Sequence, residues 1–429
     1  MTELPPELWL KIFGHLPHGL SHLSSVAAVS PTFRDLAAPR LFAEFRFQPG
    51  EFAGRVTSGT RFQAILDRLA FWSSPATAPH VRRCLISLYF TTSSKLYSDS
   101  YAPALFEAIS RFKNLRLLSC NFSTNLAVEV SALRIEGLTH LECIQIHSGQ
   151  IQPSKTLATP GLKIAHFAYT GIPRLSTFPP SSCLALLDPD YLTSLELSAS
   201  WNDTRDITHF LGDKGILAAF HKLHRLNITF SNVVLTTLHA CIAPFPAIRE
   251  LTVKVTGSCR VDAMPRTALA PHLDRYKGPT LLLPVILAHS ALEEVTVTVG
   301  GARGVLEALQ MATHPEFITS LSIRVDLHPD ILHSARLSDI LALCPRVVQL
   351  TLEVSSATED PGLDFATLCA KLVEVLQIPR SLETLMLRWH LEGADRTTVS
   401  DGPGLESVLR TALPNLRRVS SRQRGIWHA

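Results

Sequence analysis

From Leu192 onward the chain repeats one short pattern: an apolar residue, two variable ones, then apolar residues at every second position. The copies are Leu192-x-x-Leu195-x-Leu197, Leu223-x-x-Leu226-x-Ile228-x-Phe230 and Ile248-x-x-Leu251-x-Val253-x-Val255. They continue with Leu292-x-x-Val295-x-Val297-x-Val299, Ile318-x-x-Leu321-x-Ile323-x-Val325, Val347-x-x-Leu350-x-Leu352-x-Val354 and Leu382-x-x-Leu385-x-Leu387-x-Trp389. Weaker copies start at Val81, Leu115, Leu141 and Leu162, and a partial one at Leu416. Alternation at period two is the signature of a strand with one buried face, because successive side chains leave a strand on opposite sides.

The residues ahead of several copies keep helical spacing instead. Leu105, Phe106, Ile109 and Phe112 share one helix face before Leu115. Leu235, Leu238, Cys241, Ile242 and Phe245 do so before Ile248, and Phe365, Leu368, Cys369, Leu372 and Leu376 before Leu382. Proline punctuates the joins at Pro246, Pro345 and Pro414, where it ends a helix and favours extended chain. Helix plus strand in units of about thirty residues is a solenoid period. An ordinary α/β domain with a parallel sheet is the competing arrangement, and twelve strand signals in one phase favour the array. This section resembles degenerate leucine-rich repeats, which implies a curved parallel sheet with outer helices over residues 80–429.

The N-terminus has a different texture. Pro5 and Pro6 suit a helix entry, and Glu7 in the first turn complements the helix dipole. Leu8, Ile12, Phe13 and Leu16 recur at helical spacing until Pro17 and Gly19 stop the helix. Leu23, Val26 and Ala27 mark a second short helix, and Phe33, Leu36, Ala37 and Leu41 a third. Read from the residues alone, three such helices either cap the array or carry a partner. Their ordered positions (Leu4-Pro5, Glu7, Ile12-Phe13, Leu16-Pro17, Val29-Ser30, Phe33-Arg34, Leu36-Ala37) resemble an F-box, and the whole chain is similar to fungal F-box families with degenerate leucine-rich repeats.

That resemblance implies an α/β protein divided into an F-box at 1–46, a linker and capping region at 47–79, and a leucine-rich-repeat-like solenoid at 80–429. It implies that Leu4, Pro5, Ile12, Leu16, Val29 and Phe33 contact the Skp adaptor and, through it, a cullin. The function implied is that of the substrate-recognition subunit of a Skp–cullin–F-box ubiquitin ligase. A scaffold without a ubiquitination role is the alternative.

Composition fits a receptor better than a catalyst. With 18% charged residues, 46% hydrophobic residues and a net charge of +3, neither disorder nor a nucleic-acid footprint is expected. No apolar run reaches the roughly 18 residues of a membrane span, and no secretory signal is visible. The eight cysteines lack zinc or redox spacing and read as reduced, buried thiols of a cytoplasmic and/or nuclear protein. No Walker, zincin or nucleophile-elbow motif is present; Gly300-Gly301-Ala302-Arg303-Gly304 reads as a turn after a strand. No cofactor, metal or catalytic residue is therefore expected.

Candidate protein-substrate contacts are the polar positions between the buried ones: Lys254, Arg324, Glu353, Met386 and Arg388, with Trp389 either an anchor or core. Residues 256–280 break the repeat spacing and read as an insertion that competes with the strand face as the binding site. The arginines from 417 to 424 read as a solvated basic tail.

Overall fold

A computed structural model describes residues 4–15, 20–48, 58–88, 95–122, 127–129, 137–147, 150–152, 162–171, 187–199, 220–230, 232–242, 245–262, 270–327, 335–356, 379–391 and 415–425. The chain forms two compact units, Met1–Ser200 with His209–Lys222 and Trp201–Thr208 with Leu223–Ala429.

The first unit opens with three helices, α1 (Pro6–His15), α2 (Leu20–Ala27) and α3 (Pro31–Leu41). Ser30 caps α3: its side chain accepts from the Phe33 amide at 3.2 Å, while Pro31 takes the first-turn position where a missing N–H costs nothing. Strand β1 (Glu44–Phe47) follows, then helix α4 (Ser58–Trp72), strand β2 (Arg83–Leu88), helix α5 (Lys95–Ser110) and strand β3 (Leu117–Phe122). Two short strands, β4 (Ala127–Glu129) and β6 (Gln150–Gln152), pair with each other and flank β5 (Cys143–His147) in sequence. Strands β7 (His166–Gly171) and β8 (Ser194–Ala199) complete a parallel sheet of order β1-β2-β3-β5-β7-β8.

The second unit repeats the plan. Its strands are β9 (Arg225–Phe230), β11 (Glu250–Val255), β13 (Arg275–Pro279), β14 (Glu294–Val299), β15 (Ser320–Leu327), β16 (Gln349–Ser356), β17 (Thr384–Leu391) and β18 (Arg418–Gly425), parallel and in that order. Helices α6 (Leu235–Ile242), α7 (Leu283–Leu287), α8 (Ala302–Gln310) and α9 (Ala335–Leu343) lie between strands in sequence, and β10 (Val233–Val234) pairs with β12 (Cys259–Arg260). This is a leucine-rich-repeat-like α/β architecture, parallel strands with helices on the outside.

One hydrogen-bond device repeats throughout. The carbonyl of the residue just before a strand accepts two N–H groups from the next repeat, as Arg82 does from Arg116 and Leu117, and His224 from Arg249 and Glu250. Register is thereby fixed to one residue, which matters because a one-residue slip would turn every Leu of the repeat to solvent. The Leu, Ile and Val side chains of the repeat pattern face inward with almost no exposure: Leu226, Leu251, Ile323 and Leu350 are at 0–1%. Helix α8 supplies Val305, Ala308 and Leu309 to the same core.

Four details differ from the sequence reading. Residues 256–280 are not simply an insertion, for Arg275–Pro279 is a full sheet strand between β11 and β14. Its copy, Leu273-x-x-Tyr276-x-Gly278, hides because Gly replaces an apolar residue; the Tyr276 ring lies over Gly278, where a Cβ would meet Tyr276 Oη at 2.4 Å. Strand β1 precedes the first expected copy. The fourth weak copy begins at Ile164 rather than Leu162, since Ile164, Phe167 and Tyr169 are the buried residues. The arginine-rich C-terminal segment is a strand, β18, paired along its length with β17. The expected helix at 365–376 lies outside the described residues, as does the side chain of Trp389.

Two asparagines link successive repeats: Asn114 donates to the Pro79 carbonyl and Asn415 to the Arg380 carbonyl, each at 2.7 Å. Both stand one residue before their repeat's first Leu.

Candidate functional site

Two surfaces carry the residues singled out from the sequence. The first is the helical N-terminus. On α1, Trp9 and Phe13 lie four residues apart and turn inward, where both rings meet Phe33 of α3 at 4.7 and 5.8 Å between centroids. The Arg40 guanidinium donates to the Phe13 carbonyl and ties α3 to the end of α1. With Phe13, Leu23 and Ala37 buried, the three helices have an inner core of their own.

The opposite edge is apolar and open. Leu4, Leu8 and Ile12 recur at intervals of four and are 44%, 42% and 44% exposed, and Val29 at the end of α2 is 70% exposed. Pro5 is exposed beside them. Of the six residues expected to meet an adaptor, Leu4, Pro5, Ile12 and Val29 are therefore accessible. Phe33 is half-buried, its ring against those of Trp9 and Phe13. Leu16 lies outside the described residues. Leu8 belongs to this edge without having been singled out as a contact, and Leu10, 45% exposed, lies on a different side of α1.

The second surface is the strand face of the second unit, and parallel register arranges it in rows. At the strand entrances the row reads Arg225, Glu250, Arg275, Glu294, Ser320, Gln349, Thr384, Arg418. Its charged half is an alternating ladder: Glu250 binds Arg225 at 2.5 Å and Arg275 at 2.9 Å, and Arg275 reaches Glu294 at 3.5 Å. One residue earlier, Arg249 faces Asp274 at 3.8 Å. Sequence reading missed this ladder, because the signal is an opposite charge at the same repeat position in successive copies.

The central row is Asn227, Thr252, Lys277, Thr296, Ser322, Thr351, Met386 and Ser420, mostly neutral with one lysine. Beyond it Lys254 sits beside Thr229, and further along Arg324, Glu353, Arg388 and Arg422 occupy neighbouring strands. Arg388 Nη1 donates to Glu353 Oε1 at 2.8 Å, so those two expected contacts hold each other. A last row contains Asp326, Ser355, His390 and Arg424. Arg324, Glu353, Met386 and Arg388 are thus brought together on three adjacent strands. Lys254 is three strand steps from Arg324, about 14 Å at the usual spacing.

Reaction chemistry finds little footing among the described residues. No three His, Cys, Asp or Glu side chains gather as a metal would require. Burial pushes the Cys84 thiol up, and pushes those of Cys120 and Cys344 up to about 12, which makes them poor nucleophiles. Asp188 and Asp190 form a turn, the Asp188 carboxylate accepting from the Asp190 amide at 2.9 Å. His314 meets Glu316 at 3.1 Å in the open, and His328 and His333 lie outside the described residues. No described helix is long and apolar enough to cross a membrane.

No protein-family profile and no curated protein matches the chain. Among solved structures it is similar to the TLR13–ssRNA13 complex (10% identity, TM-score 0.34, covering 82% of this chain and 54% of that one). It is likewise similar to the yeast Rad7–Elc1 complex (11%, 0.39, 80% and 96%) and the mouse RP105/MD-1 complex (11%, 0.38, 80% and 60%). The chain thus spans about half the length of the first of these. At such scores the likenesses carry no argument, and the fold rests on the registers above.

Proposed function

We propose that this chain is the substrate-recognition subunit of a Skp–cullin–F-box ubiquitin ligase. In this reading residues 1–46 dock the Skp adaptor, 47–79 join the parts, and the repeats of 80–429 hold a protein substrate while partners perform the transfer. The coarser statement, a repeat scaffold suited to protein interaction, follows from the fold. The adaptor role rests on the F-box resemblance together with one observation, the open apolar edge of Leu4, Leu8 and Ile12 on α1, with Val29 also exposed after α2.

That edge is unexpected on a unit whose aromatic core is already closed. Fully burying an aliphatic side chain is worth about 1.5–3 kcal/mol, so four half-exposed ones leave several kcal/mol for a partner to recover. Truncating an interface anchor can cost more than about 2 kcal/mol, or roughly 25-fold in affinity. The test is a pull-down of the Skp adaptor by the full chain and by a Pro5→Ala, Ile12→Ala variant. A variant that folds normally and captures the adaptor undiminished removes the assignment. Stabilisation of bound partners on deletion of this chain separates a ligase subunit from a scaffold.

A further inference from the structure

The strand faces of the two units differ in charge. By register, the outward positions of the first unit's six sheet strands hold two arginines, Arg46 and Arg83, against Glu44 and Glu196. Among the described side chains, the same positions on the second unit's eight strands hold seven Arg and Lys against three Glu. That surplus of four exceeds the net charge of the whole chain, +3. One face of one unit therefore concentrates positive charge that the rest of the protein offsets.

The ion pairs already made do not consume it. Glu250, Glu294 and Glu353 are occupied by Arg225, Arg275 and Arg388. Lys254 and Lys277 remain exposed on the adjacent strands β11 and β13, and neither forms an ion pair with another described residue. Their backbone positions are offset by one strand and two residues, about 8 Å. Thr229, Thr252 and Thr296 surround them, hydroxyl groups that can donate to a carboxylate.

From this charge distribution we infer that the second unit's strand face takes an acidic segment of a protein, with Lys254 and Lys277 at the centre of the contact. This rests on the reading of the repeats as a receptor and names the chemistry of what they receive. Nucleic acid fits the face less well. Three described carboxylates, Glu250, Glu294 and Glu353, stand among the cations, where phosphates would be repelled, and no outward position of these strands carries Phe, Tyr or Trp for bases to stack on. Eight strands of about six residues offer roughly 34 by 20 Å, near the 800 Å² per partner of a standard interface.

The probe is a fluorescein-labelled glutamate-rich dodecapeptide, titrated at low ionic strength into the full chain. A Lys254→Glu, Lys277→Glu variant should weaken it at least about tenfold, and the difference should shrink as salt screens the contact. An Arg111→Glu, Arg303→Glu variant, with the same change of net charge in the turn after α5 and on α8, should bind like wild type. Equal losses in both variants would overturn the inference, since only net charge would then matter. So would tighter binding of a labelled oligonucleotide of equal length, again lost with the two lysines. If the charge reversal unfolds the unit, Lys254→Ala, Lys277→Ala carries the same test. Adaptor capture is measured separately, so a wild-type chain that captures the adaptor but does not bind the peptide tells against this inference and not against the adaptor reading.

Discussion

Replacing Phe45 by alanine should damage the first unit far more than its place near a linker suggests. Phe45 is fully buried in β1, with its ring 6.2 Å from Phe47, 5.3 Å from Trp72 and 5.4 Å from Phe112. It joins strand β1 to α4 and to the turn after α5, so the surroundings cannot close over the space it leaves. A Phe-to-Ala change in such a core costs about 3–5 kcal/mol, a large share of the 5–15 kcal/mol that holds a typical domain together. For a unit of this size that corresponds to a fall in Tm of roughly 6–20 °C. Thermal unfolding followed by tryptophan fluorescence suits the assay, because Trp72 lies against the substituted ring. Phe71→Ala is the control: it is 52% exposed, and among the described residues its ring meets those of Phe42 and Trp72. Its cost should stay below about 1.5 kcal/mol. If Phe45→Ala costs less than about 1 kcal/mol, or no more than Phe71→Ala, then β1 is not a working strand of the sheet.

Other outcomes follow from the same packing. Gly300→Ala should destabilise by about 1–3 kcal/mol in urea titrations, because Gly300 has φ +110° and a Cβ there would lie 2.2 Å from Thr280 Oγ1. Glu250→Gln removes the carboxylate shared by Arg225 and Arg275; a loss of about 1 kcal/mol that fades in high salt is expected, and a salt-independent loss would mean packing, not charge, was removed. Alkaline pH should unfold the protein: Cys120 and Cys344 are held protonated to about pH 12, so their stabilisation is complete below the ordinary thiol range and is lost as pH rises from about 9 to 12. Each thiol contributes up to about 1.4 kcal/mol per pH unit across that window, and serine at both positions should flatten the profile.

The repeat pattern was legible because its chemistry is periodic. Wherever three alternating apolar residues follow a leading one, as at Leu226, Ile228 and Phe230, the strand is where the pattern puts it. The array was misread where one residue carries a double duty. Gly278 fills an inward position with no side chain, and the Tyr276 ring occupies its volume while donating to the Pro279 carbonyl at 2.9 Å. No single-residue hydropathy can register a neighbour filling another's place. Strand β1 escaped for a different reason: Phe45 and Phe47 alternate over only four residues, too few for a period.

The candidate surfaces were legible in part. Helical spacing identified an apolar α1 but put Leu8, Ile12 and Phe13 on one stripe, whereas the fold divides them between an inner side with Trp9 and an outer edge with Leu4. That division depends on where α3 delivers Phe33, which is a tertiary fact. Likewise Glu353 and Arg388 were read as separate contacts, although register sets them side by side as an ion pair. Charges become partners only once strands 35 residues apart are neighbours.

The claim that most needs a direct measurement is that the N-terminal helices dock an adaptor through an apolar edge. Titration calorimetry of the full chain against purified Skp adaptor at several temperatures answers it. An adaptor seated on this edge gives one-to-one binding with a negative heat-capacity change, the mark of apolar burial, and at least about 25-fold weaker binding for Ile12→Asp. Absence of binding by the wild-type chain, or binding that Ile12→Asp leaves unchanged, would contradict it.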